Sequence, residues 1–363
     1  MKIAIVLPPG YTFCAVEPNS IETVIRTLSA DSRNDIRVFC ETGAKARDDI
    51  AVTEIDPGGN RLVRRQRMIE AVKAFAPDYV EFHQHAISAS AIAGALKAIP
   101  NSLYRHNYVK KPKHLFDRWR NVWRNRSFDS FIFVSEAAKA DFLGNYPQNA
   151  GRTYAVGNPI DASLWPGDPL AKDKTIVFSG RAAPEKGLAP LCDALAEILP
   201  KYPAWKAVLI LNRFDVHGDW AQAQIDKLAA VAERVTVLKD QPLDAVKAQM
   251  KAAAIAMVPS VWQEPFGLVA LEAHAAGCAV VSSGTGGLRE ASGDHAAYVP
   301  DVTGPALATA LAQLLANDDL LLKLAQSGQA FVRVVHTREH RAAQLRDVRE
   351  EITSTAKQKT YAR

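Results

Sequence analysis

Short apolar runs rich in β-branched residues alternate with longer stretches in which apolar positions recur every three or four residues. In the first half of the chain the runs fall at 3–7, 36–40, 79–82, 102–105 and 131–134. In the second half they fall at 175–179, 206–211, 235–238, 255–258 and 279–282. Strands separated by amphipathic helices are the pattern of βαβ units around a parallel sheet, and two sets of runs predict two sheets of similar size. Between the sets, Asn158-Pro159-Ile160-Asp161 and Trp165-Pro166-Gly167-Asp168-Pro169 continue neither period, which places a boundary near 158–173. The expected fold is α/β, two Rossmann-like domains with parallel sheets facing across a cleft. Residues 1–157 form the N-terminal domain, 158–340 the C-terminal domain, and 341–363 a helix and tail whose expected packing partner is the N-terminal domain. The polar stretch 354–363 is expected to fray. Open parallel sheets bind ligands beyond the carboxyl ends of their strands, so the chemistry is expected just after strands.

Composition narrows the class. With 363 residues, 48% hydrophobic and 23% charged, the chain has the makeup of a soluble globular protein of two domains. The apolar run before Pro8 is too short for a secretory signal, and no run reaches the roughly 18 residues of a membrane span. A cytoplasmic protein, able to lie at the inner face of the cytoplasmic membrane, is expected. Cys14, Cys40, Cys192 and Cys278 are far apart and form no Cys-x-x-Cys, so buried thiols are expected rather than a metal or redox centre. Charge is uneven. Residues 1–157 hold 22 Lys and Arg against 16 Asp and Glu, leaving 22 and 23 in the remainder. An anionic surface is thus expected to meet the first half.

Two constellations follow strands of the second half. Ser179-Gly180-Arg181-Ala182-Ala183-Pro184-Glu185-Lys186-Gly187 brings two cations to a strand end next to a helix start, where arginine supplies planar multidentate donors and lysine a compact charge for a diphosphate. Gln263-Glu264-Pro265-Phe266-Gly267-Leu268-Val269-Ala270-Leu271-Glu272 follows the run 255–258. Here the backbone N–H groups of Phe266, Gly267 and Leu268 are open to a ligand, and Glu272 is an acceptor suited to a ribose diol. Glu264 is suited to sugar hydroxyls.

Gly-Arg-x-x-x-x-Lys-Gly at 180–187, followed by Glu-Pro-Phe-Gly-Leu-x-x-x-Glu at 264–272, resembles the family-four retaining glycosyltransferases of the GT-B fold. The likeness spans nearly the whole chain. It implies a nucleotide-sugar donor, a UDP- or GDP-sugar, as co-substrate and no cofactor or metal. It places Arg181 and Lys186 on the diphosphate, Glu272 on the ribose, and Glu264, expected to be catalytic, with the 266–268 backbone at the donor sugar and phosphate. It implies retention by front-face attack, with the departing phosphate helping to deprotonate the acceptor. In Asp78-Tyr79-Val80-Glu81-Phe82-His83-Gln84-His85, His83 matches a histidine that related enzymes use near the reacting sugar and is preferred over His85 as catalytic. His106-Asn107 follows the next strand and is a candidate acceptor contact. Two stretches depart from the pattern: Glu17-Pro18-Asn19-Ser20-Ile21-Glu22 stands where a glycine pair is common, with Asn19 or Ser20 as substitute phosphate donors, and Leu211-Asn212-Arg213 replaces a glycine-rich turn.

The strongest charge cluster is 110–126, where Leu115, Trp119, Val122 and Trp123 fall at helical spacing among seven Lys and Arg. Such a helix either rests on anionic lipid or packs its stripe on the sheet. Arg61, Arg64, Arg65 and Arg67 add a second basic patch, which the resemblance puts on the acceptor side. The expected acceptor is a saccharide or lipid-linked saccharide of cell-envelope polysaccharide or lipopolysaccharide synthesis. Asp-x-Asp, Gly-x-Gly-x-x-Gly after the first strand and the P-loop signature are all absent, which argues against a dehydrogenase or kinase. A sugar-nucleotide epimerase of the same architecture, a basic nucleic-acid-binding protein and an inactive paralogue are the competing readings; the paired donor motifs favour transfer and no nucleic-acid partner is expected.

Overall fold

The computed structural model describes residues 1–13, 19–29, 33–41 and 50–361. The chain divides into two compact units, Met1–Pro159 with Arg338–Arg363, and Ile160–Thr337. The first unit runs β1 (Lys2–Val6), α1 (Ser20–Ser29), β2 (Asp35–Glu41), β3 (Ala51–Ile55), α2 (Arg61–Phe75) and β4 (Tyr79–His83). It continues through α3 (Ala86–Ala95), β5 (Asn101–Arg105), α4 (Leu115–Asn125), β6 (Ser130–Phe133), α5 (Glu136–Asn145) and β7 (Thr153–Ala155). All seven strands are parallel, in the order β3-β2-β1-β4-β5-β6-β7. Central strands are covered on both faces by helices, so β4 is buried at every position, including Glu81 and His83 among its apolar Tyr79, Val80 and Phe82. Side-chain caps set helix starts: Asn60 accepts from Leu62 and Val63 at the head of α2, and Ser135 from Ala138 at the head of α5.

The second unit contains β8 (Asp173–Arg181), α6 (Leu188–Ile198), β9 (Lys206–Asn212), α7 (Phe214–Ile225), β10 (Val235–Lys239), α8 (Leu243–Ala252) and β11 (Ala253–Val258). There follow α9 (Leu268–Ala275), β12 (Ala279–Ser282), α10 (Leu288–Ser292), β13 (Ala296–Tyr298), α11 (Gly304–Leu315) and α12 (Asp318–Val335). Its six strands are also parallel, ordered β10-β9-β8-β11-β12-β13. Leu188, Leu191, Leu195 and Leu311 are completely buried over Leu209 and Ile255 in its core. The last helix, α13 (Arg338–Tyr361), returns to the first unit. Gln344 of α13 donates to the carbonyl of Ala155 and Glu351 accepts from the Tyr154 hydroxyl.

In both sheets the strand order reverses direction once, between β1 and β4 in the first unit and between β8 and β11 in the second. At such a point the loops leave in opposite directions and open a crevice at the carboxyl ends.

Several expectations change. The edge strands β3, β7 and β13 lack an apolar signal because an edge is covered on fewer sides; β3 has one fully buried residue. The stretch 354–361 is helical, not frayed, since it extends a helix already anchored by buried Ile352 and Thr353 and is made largely of good helix formers. Cys40, Cys192 and Cys278 are buried thiols, and Cys14 lies outside the described residues. Among the described residues no helix is long and apolar enough to cross a membrane.

Candidate functional site

The crevice of the second unit collects both sequence constellations. Arg181 is the last residue of β8, Lys186 ends the 3-10 turn Pro184–Lys186, and Glu264 lies in the loop between β11 and α9. The two loops are joined directly, with the Val261 N–H donating to the Glu185 carbonyl at 3.0 Å. Gly187 makes the approach possible. Its φ is +78°, and a Cβ there would stand 1.9 Å from the carbonyl oxygen of Pro259. Gly187→Ala is expected to cost about 2–4 kcal/mol, combining a left-handed strain with an overlap that only backbone movement relieves, read as a lowered denaturation midpoint.

Inside this junction the Lys186 Nζ lies 2.5 Å from Glu264 Oε1, to which the Ser260 hydroxyl donates at 2.6 Å. Glu264 is 7% exposed, so its charge is held by those two donors rather than by water. Lys186 also stands 5.8 Å from the Trp262 ring. Arg181 is half-exposed and paired with Glu185 at 2.9 Å, a surface pair that is readily exchanged for a better anion.

Gly267, at φ +107°, opens α9; a Cβ there would meet Leu288 at 2.4 Å. Phe266 is buried, and no hydrogen bond among the described residues takes the backbone N–H of Gly267 or Leu268. The head of α9 therefore presents free donors and the positive end of its dipole. Glu272, about one turn in, has no hydrogen bond to its carboxyl group among the described residues. Burial pushes its pKa up to about 7, against a smaller pull from Lys247. A carboxyl left short of partners is poised to accept from a ligand's hydroxyls.

In the first unit, the crevice between β1 and β4 is a cavity of about 270 Å³. Pro8, Met68 and Ile92 give it apolar walls, and Arg61, Arg64 and Arg65 of α2 bring cations to it. Arg64 is bonded to Glu41. His85 lines this cavity as the cap of α3, its Nδ1 2.8 Å from the Ser88 hydroxyl. Burial, then Arg61 and other nearby arginines, lower its pKa.

His83 does not stand open at the end of β4. Its ring is buried at 2% exposure with both nitrogens engaged, Nε2 to Glu81 at 3.0 Å and Nδ1 to His106 at 2.8 Å. The strand's last side chain points into the sheet's helical layer because Glu81, two residues earlier on the same face, holds it there. Asn19 caps α1 by accepting from Ile21 and Glu22, so its carbonyl is already used; Glu17 and Pro18 lie outside the described residues.

The structure thus brings Lys186 and Glu264 together and adds Ser260, Trp262 and Glu185, which the sequence reading passed over. A serine and an exposed tryptophan six residues or fewer before the Glu-Pro pair carry no periodic signal; proximity to Glu264 was the available hint. In the first unit it adds Glu81, whose signal was a carboxylate inside an apolar run, and Arg349, which nothing in the charged pattern of α13 distinguished.

Comparison with known proteins adds to this geometry. The model for Glycosyltransferase Family 4 matches residues 19–164 and that for Glycosyl transferases group 1 matches 165–331. A phosphatidyl-myo-inositol mannosyltransferase of Mycobacterium tuberculosis is 36% identical over 170 residues, 44% of this chain and 43% of that enzyme. A D-inositol 3-phosphate glycosyltransferase of Corynebacterium urealyticum is 28% identical over 280 residues, 68% of this chain and 66% of that one. The alignment thus spans less than half the length of the mannosyltransferase. Among solved structures, Anabaena HepE in complex with UDP superposes with a TM-score of 0.79 at 19% identity, covering 96% of this chain and 99% of that one. A glycosyltransferase from Rickettsia africae superposes at 0.80 with 15% identity, covering 97% and 98%. These likenesses carry the fold, which is GT-B. With consecutive family models spanning both units, the chain belongs to the family 4, group 1 glycosyl transferases.

Proposed function

We propose that this protein moves a sugar from a nucleotide-sugar donor, a UDP- or GDP-sugar, to an anionic saccharide or lipid-linked acceptor of the cell envelope, with retention and without a metal. The observation that carries the reading is the junction of Lys186, Glu264 and Ser260 beside the free head of α9 and the unpartnered Glu272. Arg181 and Lys186 take the diphosphate, which outcompetes Glu185 for the exposed guanidinium. Glu272 accepts from the ribose diol, and Glu264 accepts from hydroxyls of the transferred sugar. The acceptor oxygen bonds to the anomeric carbon on the face from which the diphosphate departs, and its proton passes to the departing phosphate oxygen. The argininyl cavity of the first unit suits the acceptor, since cations over apolar walls match a phosphate attached to a carbon skeleton. The inositol phosphate and phosphatidylinositol named for two relatives are of that chemistry.

Incubation with UDP- and GDP-hexoses plus an envelope lipid extract, followed by proton NMR of the product anomer, tests this. A lipid glycoside with the donor's anomeric configuration is expected. A nucleotide-linked epimer, or no consumption of any donor, defeats the reading.

An anionic membrane is proposed as the surface on which that acceptor is met. In α4, Leu115, Phe116, Trp119 and Trp123 are 85%, 65%, 63% and 62% exposed, while Asn121 and Val122 face the body of the unit. Exposed Lys110, Lys111, Lys113, Arg118, Arg120 and Arg126 surround that stripe. Of the stripe expected from the sequence, Val122 packs against the core of the unit while Leu115, Trp119 and Trp123 stay exposed, and aromatic rings flanked by cations match an anionic lipid interface. Replacing Trp119 and Trp123 together by Glu should reduce co-sedimentation with anionic vesicles by about tenfold or more, given the apolar area lost. Wild-type protein that stays in the supernatant at low salt overturns this part.

A further inference from the structure

Arg349 of α13 holds Glu81 of β4 through a fork, Nε to Oε2 at 2.9 Å and Nη2 to Oε1 at 2.8 Å. Their side chains are 4% and 1% exposed. Glu81 accepts in turn from His83 Nε2 at 3.0 Å, and His83 Nδ1 meets His106 Nε2 at 2.8 Å. His106 follows the last residue of β5, where a parallel sheet presents its ligands. Four residues thus form one buried line from the C-terminal helix to a strand end.

The proton positions follow from the donors available. A guanidinium only donates, and a carboxylate clamped by it is ionised and only accepts. His83 must therefore carry its proton on Nε2. For a neutral His83, whose one N–H already faces Glu81, Nδ1 is an acceptor and the proton between the rings belongs to His106 Nε2; a doubly protonated His83 in the labelled protein would overturn this assignment. That leaves Nδ1 of His106 bare, and no hydrogen bond among the described residues takes it. We infer that Arg349 and Glu81, acting through His83, fix His106 as the Nε2–H tautomer, so that its bare Nδ1 serves as the acceptor for a substrate hydroxyl. The functional half of this rests on the glycosyl transfer reading; the tautomer does not. Glu81, His83 and Arg349 are then positioning residues.

The surroundings agree. Tyr104 stacks on both rings, at 5.1 Å from His83 and 4.8 Å from His106, which fixes their planes. His106 is held neutral, its pKa pushed well below the ordinary value chiefly by burial. The His106 backbone N–H is tied to Gln84 Oε1 at 3.0 Å, and Gln84 itself is held in the left-handed region at φ +63°. Neither the ring nor the backbone of His106 is free to turn.

Ring-¹⁵N-histidine labelling of the whole chain reads the tautomers directly. At neutral pH both His83 and His106 are expected with a protonated Nε2 and a bare Nδ1. A wild-type His106 with its proton on Nδ1, or on both nitrogens, overturns the inference without any activity being measured. In Glu81→Gln the remaining oxygen turns to Arg349 and the amide donates to His83, so both rings are expected to invert and His106 to become the Nδ1–H form. An unchanged His106 overturns the relay. Should that variant not fold, His83→Phe keeps the stacking ring but removes both nitrogens, and His106 is expected to populate both tautomers; one that stays wholly Nε2–H has the same contrary meaning. Spectra as expected without any sugar transfer would sink the function proposed above and leave the relay standing.

Discussion

Arg349→Leu is expected to destabilise the first unit by about 3–5 kcal/mol, because it leaves Glu81 charged and buried without its cation. In the native protein burial alone would raise the Glu81 pKa, but the Arg349 charge and the His83 and Arg349 hydrogen bonds outweigh it and bring it to about 2 from an ordinary 4.5. A depressed folded pKa means that this carboxylate contributes fully above pH 4.5 and that its contribution is lost as pH falls towards 2. In the variant the sign reverses. Burial without the cation favours the protonated form, so the deficit is largest at neutral pH and shrinks as the medium becomes acid enough to protonate the group. Adding Glu81→Leu to Arg349→Leu is expected to return at least half of the loss, since a buried pair replaced by apolar side chains is often close to neutral. Urea denaturation of the wild type and the two variants across pH checks this. A double variant as unstable as the single one would place the damage in the packing of α13 instead.

Glu272→Gln should separate stability from function. The folded pKa of about 7 lies above the ordinary 4.5, so between those values the native state binds more protons than the unfolded state, and ligand-free stability falls as pH rises through that window. Glutamine removes this cost. The ligand-free variant is expected to match wild type below about pH 4.5 and to gain about 1–3 kcal/mol above pH 7. The same substitution replaces a carboxylate that can accept from two ribose hydroxyls by an amide that can offer one oxygen, so sugar-nucleotide turnover is expected to fall by about 10²-fold. A variant that is both more stable at neutral pH and inactive is the signature of a group kept for its ligand. Equal stability at all pH values would show that the unligated carboxyl is well solvated.

Much of this was legible before any coordinates. Central strands such as β4, β8 and β11 announce themselves because burial on both faces demands apolar runs, and the loops carrying Arg181, Lys186 and Glu264 because they follow those strands. The edge strands β3, β7 and β13 were silent, since half-covered positions place little demand on the residue. Lys186 and Glu264 could be assigned to one neighbourhood, but their direct ion pair depends on Gly187 lying against Pro259, which only three-dimensional packing reveals. His83 illustrates the opposite failure. A histidine ending a strand is expected to face ligand, whereas Glu81 two residues earlier and Arg349, 268 positions away, draw it inward. A charge inside an apolar strand asks for a partner, and sequence cannot say from where it comes. For α4 the periodicity found the stripe but not its surroundings; exposure of Trp119 and Trp123 was decided by which face Asn121 and Val122 turn to the body of the unit.

The central claim is that the second unit holds a nucleoside diphosphate between Arg181, Lys186 and Glu272. Calorimetric titration of the whole protein with UDP and with GDP, alongside Arg181→Ala and Glu272→Ala, tests it most directly. At least one nucleotide is expected to bind the wild type, with affinity lowered about tenfold or more in each variant, corresponding to the loss of a charge-assisted contact. Absence of binding by either nucleotide at millimolar concentration, or binding that both substitutions leave unchanged, would contradict it.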